Sequence, residues 1–380
     1  MSTIQANAIL DASGGNTTTI NGVTPNTHSV MGKNLVNNGA MQIAQRGVSS
    51  AGITSTTIAT ADRWTFTLGT AGTWTQTEST DVPTGQGFTK SIKLQCTTAN
   101  GSLTGTNQAR IGQFIEAQDL QHLKFGTANA EQLTLSFWIK SNKTGTYPVW
   151  FYRQDSSRHT SKSFTISSAD TWEKKTLTIS GDTTGVINND NGRGMEFSIY
   201  FASGSDYTSG TNPDGTWEAL TNANRASNLS VNLADSTSNY VNVTGFQLEL
   251  GSVATEFEHI PYGIELIICK RYYEKHNFDT TTSMYGAAQS ASRGEMVFVY
   301  DVQKRANPTI SINDYRAWRV NDWRGGDQQC SAFTVLETRT RQARLGFDKS
   351  TANLDTGRVV YMNREGGFAT DPILYIDAEL

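Results

Sequence analysis

The chain has 380 residues, a formal net charge of −4 and only 17% charged residues, while glycine alone occupies 34 positions. This weakly charged, mildly acidic composition offers no electrostatic footprint for nucleic acid or an anionic membrane, and no apolar run reaches the roughly 18 residues that span a bilayer. Abundant Thr, Ser, Asn and Gly are typical of short strands joined by turns, so we expect a mainly β protein.

The first segment, residues 1–33, carries only Asp11 and Lys33 as charged side chains and one alternating run from Ile4 to Leu10. A single strand cannot stand alone, so we predict an extended arm that orders on a partner, with a disordered terminus as the alternative. The segment lacks the basic and apolar parts of a secretory signal. Three widely separated cysteines favour folding in a reducing cytosol.

Residues 34–260 predict a strand-rich sandwich without intervening helices. Runs that alternate apolar and polar residues are separated by turn residues, a pattern typical of antiparallel sandwiches. The polar stretch Ser203–Asn239 is too long for a hairpin loop and predicts a surface insertion. The predicted strands are Arg63–Thr67, Gly72–Gln76, Ser91–Thr97, Thr134–Ser141, Tyr147–Gln154, Glu173–Ile179, Met195–Ala202 and Tyr240–Leu250.

The stretch 245–276 predicts how the sandwich ends. Its first half alternates Phe246, Leu248 and Leu250 with Gln247 and Glu249, the period of a half-buried strand. Pro261 then breaks the strand, and apolar residues recur at spacings of three and four, which predicts a short helix at about 263–276. The residues that share this helical face are Ile264, Ile267, Ile268 and Tyr272.

Beyond the helix the chain returns to strands, in segments such as EMVFVYDV (295–302) and PILYIDAE (372–379). We therefore predict a second, smaller β domain whose last strand pairs in a sheet. The predicted organisation is an arm (1–33), a sandwich (34–260), and a linker helix with a C-terminal, distal β domain (261–380).

Three segments carry a family resemblance: NLVNNGAMQIAQRG (34–47), DRWTF (62–66) and the stretch 245–276. They resemble short tail-fibre and receptor-binding virion proteins of tailed, podophage-like bacteriophages, in which the first segment is the opening strand. The same frame is similar to carbohydrate-binding modules of the CenC type, which are β jelly rolls.

The resemblance implies a virion structural protein located in the tail and assembled in the cytoplasm of the bacterial host. It further implies a homotrimer that docks on a tail or adaptor protein through residues 1–33. A glycan or protein on the host cell surface would be the receptor.

In the sugar-binding modules, acidic residues near the opening and closing strands help to hold a structural calcium ion. Here Ala40 and Gln42 stand in the opening segment, and Asn242 and Thr244 in the closing strand. Calcium prefers carboxylates among its oxygen ligands, so we predict no metal at these positions and no cofactor.

Candidate binding residues lie on the predicted central strands. Because side chains alternate between the two faces of a strand, one face is aliphatic and the other aromatic. Rings with polar tips suit sugar binding, but the same face could instead lie under the 203–239 insertion or against another subunit. The candidates are Trp138, Trp150, Tyr152 and Tyr200, with Arg153 and Glu196 as hydrogen-bonding neighbours.

In the C-terminal domain, Trp318 and Trp323 lie in an arginine-rich surround, YRAWRVNDWRGG. They predict either a receptor-facing loop or an ordinary pair of strands with a turn.

The five histidines are scattered, and no nucleophile–base, phosphate-loop or zinc motif is present, so we do not expect an enzyme. Alternative functions are a soluble carbohydrate-binding module and a capsid-bound fibre or decoration protein. A tailspike-type depolymerase has less support, because the long repeats of a shaft are missing.

Deleting residues 1–33 is expected to abolish incorporation into virus particles while the remainder stays folded, because the arm is predicted to supply the docking contact. Incorporation can be measured by complementing a deletion phage and probing purified particles. Particles that still contain the truncated protein would overturn the docking role of the arm.

Overall fold

The computed structural model describes residues 32–278, 283–322, 328–364 and 371–380. The predicted arm lies outside these ranges except for Gly32 and Lys33. The Gly32 N–H donates to Glu258 Oε1 at 2.6 Å, and Lys33 Nζ donates to Thr255 Oγ1 at 2.6 Å. The chain thus enters the fold beside the segment that precedes the linker helix.

The described part of the chain is mainly β, as predicted. Short 3-10 helices cover Ala117–Leu123, Asn222–Asn224, Leu233–Asp235 and Tyr315–Ala317, and two α-helices are α1 (Ser205–Thr208) and α2 (Tyr262–Lys270). The strands are β1 (Ser49–Thr57), β2 (Thr65–Ser79), β3 (Ser91–Thr98), β4 (Gln108–Glu116), β5 (Leu133–Ser141), β6 (Gly145–Arg153), β7 (Arg158–Ile166), β8 (Glu173–Ile179), β9 (Arg193–Ser203), β10 (Glu218–Ala219), β11 (Tyr240–Leu250), β12 (Tyr273–Asn277), β13 (Met284–Ser290), β14 (Arg293–Val299), β15 (Thr309–Ile312), β16 (Trp318–Asn321), β17 (Gln328–Thr338), β18 (Gln342–Lys349), β19 (Val359–Arg364) and β20 (Ile373–Asp377).

The first eleven strands form a jelly-roll sandwich. One layer, the back layer, has the order β3-β11-β5-β8, and the other, the front layer, has the order β4-β9-β6-β7. If these eight strands are renumbered from 1 to 8 in chain order, the back layer reads 1-8-3-6 across the sheet and the front layer reads 2-7-4-5. Two Greek keys wound in this way define a jelly roll, so the predicted fold class is confirmed.

Strand β2 connects the two layers. Its first residues pair with β4 and its later residues pair with β3. The change of direction falls at Thr70 and Gly72, whose φ angles are +50° and +81°. A Cβ atom at Gly72 would collide with the carbonyl oxygen of Thr98, so the corner requires glycine.

The core between the layers contains a cluster of aromatic rings among aliphatic side chains. Phe246 of β11 stacks on Phe137 at 5.0 Å between ring centroids and meets Trp64 at 4.4 Å. Phe197 of the front layer lies 6.0 Å from Phe246, and Phe164 lies 5.1 Å from Phe137. These contacts hold the layers face to face.

The expected opening strand at 34–47 is wrong: residues 34–48 form turns and irregular backbone. Asn38 and Met41 adopt φ angles of +54° and +58°, which interrupt any extended run. The Asn38 amide donates to the carbonyl oxygens of Ile43 and Asp62 at 2.8 and 3.0 Å and fixes the turn.

Strand β11 confirms the predicted alternation but is buried on both faces. Leu248 and Phe246 are in the core, while Gln247 and Glu249 on the other face are covered by the returning chain. Thr255 Oγ1 donates to Glu249 Oε2 at 2.7 Å, and the Glu258 N–H donates to Gln247 Oε1 at 2.8 Å. The prediction that this strand is half-buried is therefore wrong, because residues 255–258 cover its outer face.

A bulge at Gly245 lets β11 keep its apolar residues inward. The pairing with β5 shifts between Thr244 and Gln247, and Gly245 has a φ of +67°. A Cβ atom there would lie 2.6 Å from the ring of Phe88, so glycine is required.

The linker helix is shorter than predicted and its apolar face is exposed. Helix α2 ends at Lys270, and Tyr273 already pairs with Asp377 in a sheet. Ile264 and Ile267 are 46% and 56% exposed.

The C-terminal part has its own hydrophobic core. Six strands close a barrel in the order β13-β14-β18-β17-β16-β19, and β12-β20-β15 form a small sheet. The predicted pairing of the last strand is confirmed, because β20 lies between β12 and β15.

No helix in the described ranges has the length and apolar character needed to cross a membrane.

Arg63 joins the two parts of the chain. It is 1% exposed, and its guanidinium donates to the Glu379 carboxylate and, at 2.6 Å, to the carbonyl oxygen of Phe114. The same group lies 3.4 Å from the ring centroid of Tyr272. A buried charge with these partners resists separation of the two parts.

Arg46 adds a second connection. Its Nη2 lies 3.2 Å from Asp377 and 3.4 Å from Glu379, and its guanidinium lies 3.6 Å from the ring centroid of Tyr273. Burial raises the pKa of the neighbouring Asp62 to about 6, against the hydrogen bonds that Gln45 donates to it. The interface is thus polar, with Asp62 buried and Asp377 at its exposed edge.

Phe246→Ala is expected to lower the free energy of unfolding of the sandwich by about 3–5 kcal/mol, because it empties the centre of the aromatic core. Chemical denaturation followed by tryptophan fluorescence measures the change. Val299→Ala, at a position 64% exposed on the barrel, should stay within about 0.5 kcal/mol of the wild type. Similar losses in both variants would contradict the central role of Phe246.

Candidate functional site

The outer face of the front layer carries most of the predicted binding residues. Strand register places Phe114, Glu196, Tyr152 and His159 in one row across β4, β9, β6 and β7. The next row contains Ser198 and Trp150, and a third pairs Arg110 with Tyr200. Trp150, Tyr152, Glu196 and Tyr200 therefore share one face, as predicted.

The 203–239 insertion covers two of these rows. Trp150 is 2% exposed and Tyr200 is fully buried, and both pack in a small cluster with Tyr207 and Ala226. The Arg225 guanidinium lies 3.7 Å from the Trp150 ring centroid. This face was predicted to bind sugar, to lie under the insertion or to contact another subunit. Trp150 and Tyr200 lie under the insertion.

Arg110 provides the positive charge beneath this cover. It forms an ion pair with Glu196, donates to Ser198 Oγ at 2.5 Å, and lies 5.2 Å from the Trp150 ring centroid. Burial alone would lower the pKa of Arg110, but the carboxylate of Glu196 outweighs it and raises that pKa. Glu196 is thus oriented by a fixed cation on the same face of the layer.

His159 holds the indole of Trp150 in place. Trp150 Nε1 donates to His159 Nδ1 at 3.0 Å, and His159 Nε2 lies 3.1 Å from the backbone N of Thr221 and 3.0 Å from Glu218 Oε1. Burial lowers the pKa of His159, so the ring is neutral at pH 7. This histidine positions an aromatic side chain.

The first row is only partly covered: the rings of Phe114 and Tyr152 reach solvent, whereas His159 is fully buried. Phe114 and Tyr152 are half-buried on either side of Glu196, which is 8% exposed. Tyr152 stacks on Trp150 with centroids 5.1 Å apart, and the guanidinium of Arg193 lies 4.0 Å from the ring centroid of Phe114. We call Phe114, Glu196, Tyr152 and Arg193 the open row.

The prediction for Arg153 is wrong. It follows Tyr152 directly, so its side chain points to the opposite side of β6 and is fully buried. It is paired with Asp182 and donates to the carbonyl oxygen of Gly185 at 2.5 Å. Arg153 therefore stabilises the interior.

Trp138 is half-buried on the other side of the sandwich, so its predicted place beside Trp150 is wrong. Strand β5 belongs to the back layer, where Trp138 pairs with Lys174 and Thr244. Nearby, Trp172 Nε1 donates to Asp81 Oδ1 at 3.0 Å. Alternation correctly excluded Trp138 from the core but could not show which layer carried it.

Trp318 is fully buried in the barrel, so the prediction that it faces a receptor is wrong. Its ring centroid lies 4.7 Å from that of Phe278 and 5.3 Å from that of Phe347. The strand alternative is the one observed for Trp318, which begins β16. Trp323 lies outside the described residues.

Four residues of this face are not among the predicted ones. Arg193 lies just before the predicted strand Met195–Ala202, and His159 lies on β7, which was not predicted. Arg110 and Phe114 were missed because β4 was not predicted. The signal was present in QARIGQFIE, where Ala109, Ile111 and Ile115 alternate with Arg110 and Phe114. The strand was not recognised because Gly112 interrupts the alternation and the run is only nine residues long.

In the described ranges, Glu274, His276 and Asp301 bring possible metal-ligand atoms within 4.8 Å of one another. Lys304 already forms a buried ion pair with Glu274, whose other oxygen lies 2.7 Å from His276 Nε2. The cationic ammonium neutralises the most buried carboxylate, so this cluster fits an ion-pair network better than a cation site.

No protein-family model matches the sequence, and no curated protein matches it either. Solved structures similar to the chain include the enzymatically active domain of tailspike protein 4 from bacteriophage CBA120, with 14% identity and a TM-score of 0.31. That likeness covers 58% of this chain, which spans only 22% of the tailspike chain.

Two further similar structures are carbohydrate-binding modules. The CBM22-1 xylan-binding domain from Paenibacillus barcinonensis has 11% identity and a TM-score of 0.24, over 56% of this chain and 99% of its own. The family 11 module of a cellulosomal cellulase from Clostridium thermocellum has 12% identity and a TM-score of 0.25, over 53% and 98%. Likeness at these low identities shows no shared function.

Acid should destabilise the C-terminal part through Glu274. Burial alone would raise the pKa of Glu274, but His276 and Lys304 outweigh it and lower that pKa to about 2, from 4.5. The carboxylate thus contributes stability above pH 4.5, and this contribution is lost as the pH falls towards 2. At about 1.4 kcal/mol per pKa unit, the loss is about 3 kcal/mol.

Thermal unfolding of the wild type and of Glu274→Gln/Lys304→Met between pH 2 and 7 measures this loss. The double variant removes both buried charges, so its stability should depend less on pH below 4.5. Parallel profiles for the two proteins would contradict the role of Glu274.

Proposed function

We propose that this chain is a non-catalytic virion protein of a tailed bacteriophage, a short tail fibre that binds carbohydrate on the host surface. The observation that supports binding is the open row, where two aromatic rings flank a carboxylate on the outside of a jelly roll. The virion assignment is supported by the three sequence segments that resemble tail-fibre proteins.

The open row has the chemistry that a sugar requires. The half-buried rings of Phe114 and Tyr152 offer apolar surface for the C–H faces of a pyranose. Glu196 offers carboxylate oxygens to hydroxyl groups, and Arg193 offers donors from the side. Because Arg110 holds Glu196 from the neighbouring, covered part of the same face, the acceptor is preorganised before a ligand arrives.

The row is a short strip, because the insertion closes the rest of the face. A strip of this size suits one or two sugar units, so a single site would bind weakly. In the proposed homotrimer, docked on the tail or on an adaptor through residues 1–33, several weak sites would act together through effective concentration. The C-terminal β domain is proposed to be distal.

Tyr152→Ala is expected to weaken binding of host-surface polysaccharide at least ten-fold, because it removes one wall of the open row. Glycan-array screening followed by calorimetry measures this effect. Trp138→Ala is the matched control, since Trp138 is also half-buried but lies on the back layer.

Equal binding by the wild type and Tyr152→Ala would overturn the open row as the site. A wild-type protein that binds none of the host polysaccharides would overturn carbohydrate binding altogether.

A further inference from the structure

Helix α2 presents its apolar side chains to solvent and a carboxyl group to the interior. Tyr262, Ile264 and Ile267 are 57%, 46% and 56% exposed, whereas Glu265 is 7% exposed and Cys269 is fully buried. A surface helix of a monomeric protein normally has the reverse arrangement.

The orientation of the helix is fixed by a buried hydrogen bond. Glu265 Oε1 accepts the backbone N–H of Asn38 at 2.5 Å, and burial raises the pKa of Glu265. Turning the isoleucines inward would leave that N–H unpaired, at a cost of about 1–3 kcal/mol. The exposure of the isoleucines is therefore built into the fold.

The four residues Tyr262, Gly263, Ile264 and Ile267 carry no charge. The two cations at the end of the helix are Lys270, one turn after Ile267, and Arg271, and both are paired with carboxylates. Lys270 Nζ is held by Asp301 at 2.5 Å, and Arg271 forms two hydrogen bonds of 2.7 and 2.8 Å with Glu116. Gly263 has open space around the position of a Cβ atom, so another backbone can come close. The same four residues of a second copy can therefore approach without repulsion between like charges. A charged partner would find no opposite charge among them.

We propose that Tyr262, Gly263, Ile264 and Ile267, the α2 face, are the contact between copies of this chain. The inference rests on the self-association proposed above and names its surface. In a closed cyclic assembly, the same helix of each copy would meet its neighbours around one axis and bury the isoleucines.

The size of the α2 face sets the strength of this contact. At roughly 150–250 Å² for a large side chain, the exposed parts of its three large residues amount to roughly 300 Å² per copy. A stable pair buries about 800 Å² per partner, so the contact alone is weak. Association of the free chain therefore depends on concentration.

The test is sedimentation equilibrium of the full chain from micromolar to near-millimolar concentration. Ile267→Asp should weaken association at least ten-fold, because it places a charge inside the contact. Val299→Asp, at an equally exposed apolar position on the barrel, should associate like the wild type. Ile267→Gln provides a milder variant if the aspartate disturbs the helix, and thermal unfolding checks the fold of each protein.

A wild-type chain that stays monomeric throughout would overturn the α2 contact and the proposed self-association together. Association that survives both Ile267 variants would overturn the α2 contact alone, with self-association retained through another surface. Neither result affects carbohydrate binding, which the Tyr152 variant tests separately.

Discussion

The buried guanidinium of Arg63 is the interaction on which the arrangement of the two parts depends. It belongs to the sandwich, yet its ion-pair partner, Glu379, and the ring beneath it, Tyr272, both belong to the C-terminal part. Removing one member of such a pair leaves an uncompensated charge and commonly costs about 3–5 kcal/mol. The C-terminal part is thereby held in a fixed orientation relative to the open row, and the nine-residue helix α2 lies alongside this joint.

Local alternation was sufficient to predict most strands, since Phe246 and Leu248 reach the core wherever β11 is placed. It failed where contacts distant in sequence decide the backbone. The turn at Asn38 depends on carbonyl oxygens of Ile43 and Asp62, so residues 34–48 could not be recognised as irregular. The rotation of α2 depends on the same residue, because the N–H of Asn38 holds Glu265 inward.

In the candidate site too, local alternation predicted some features, and contacts distant in sequence decided the others. The parity of Tyr152 and Arg153 was visible in the sequence and already placed them on opposite sides of β6. Assigning Trp138 and Trp150 to the same layer required the jelly-roll order, which alternation does not contain. How much of the face would remain open depended on how the 203–239 insertion folds over Trp150, a tertiary contact with no local signature.

The ion pair of Arg63 also has a consequence for the order of events during synthesis. Its partner Glu379 lies 316 residues further along the chain. At about 5–20 residues per second, a ribosome needs on the order of 15 to 60 seconds to cover that distance. The sandwich can collapse in the meantime, but the Arg63 guanidinium has no carboxylate partner until residue 379 has been synthesised, so the joint forms later than the sandwich core.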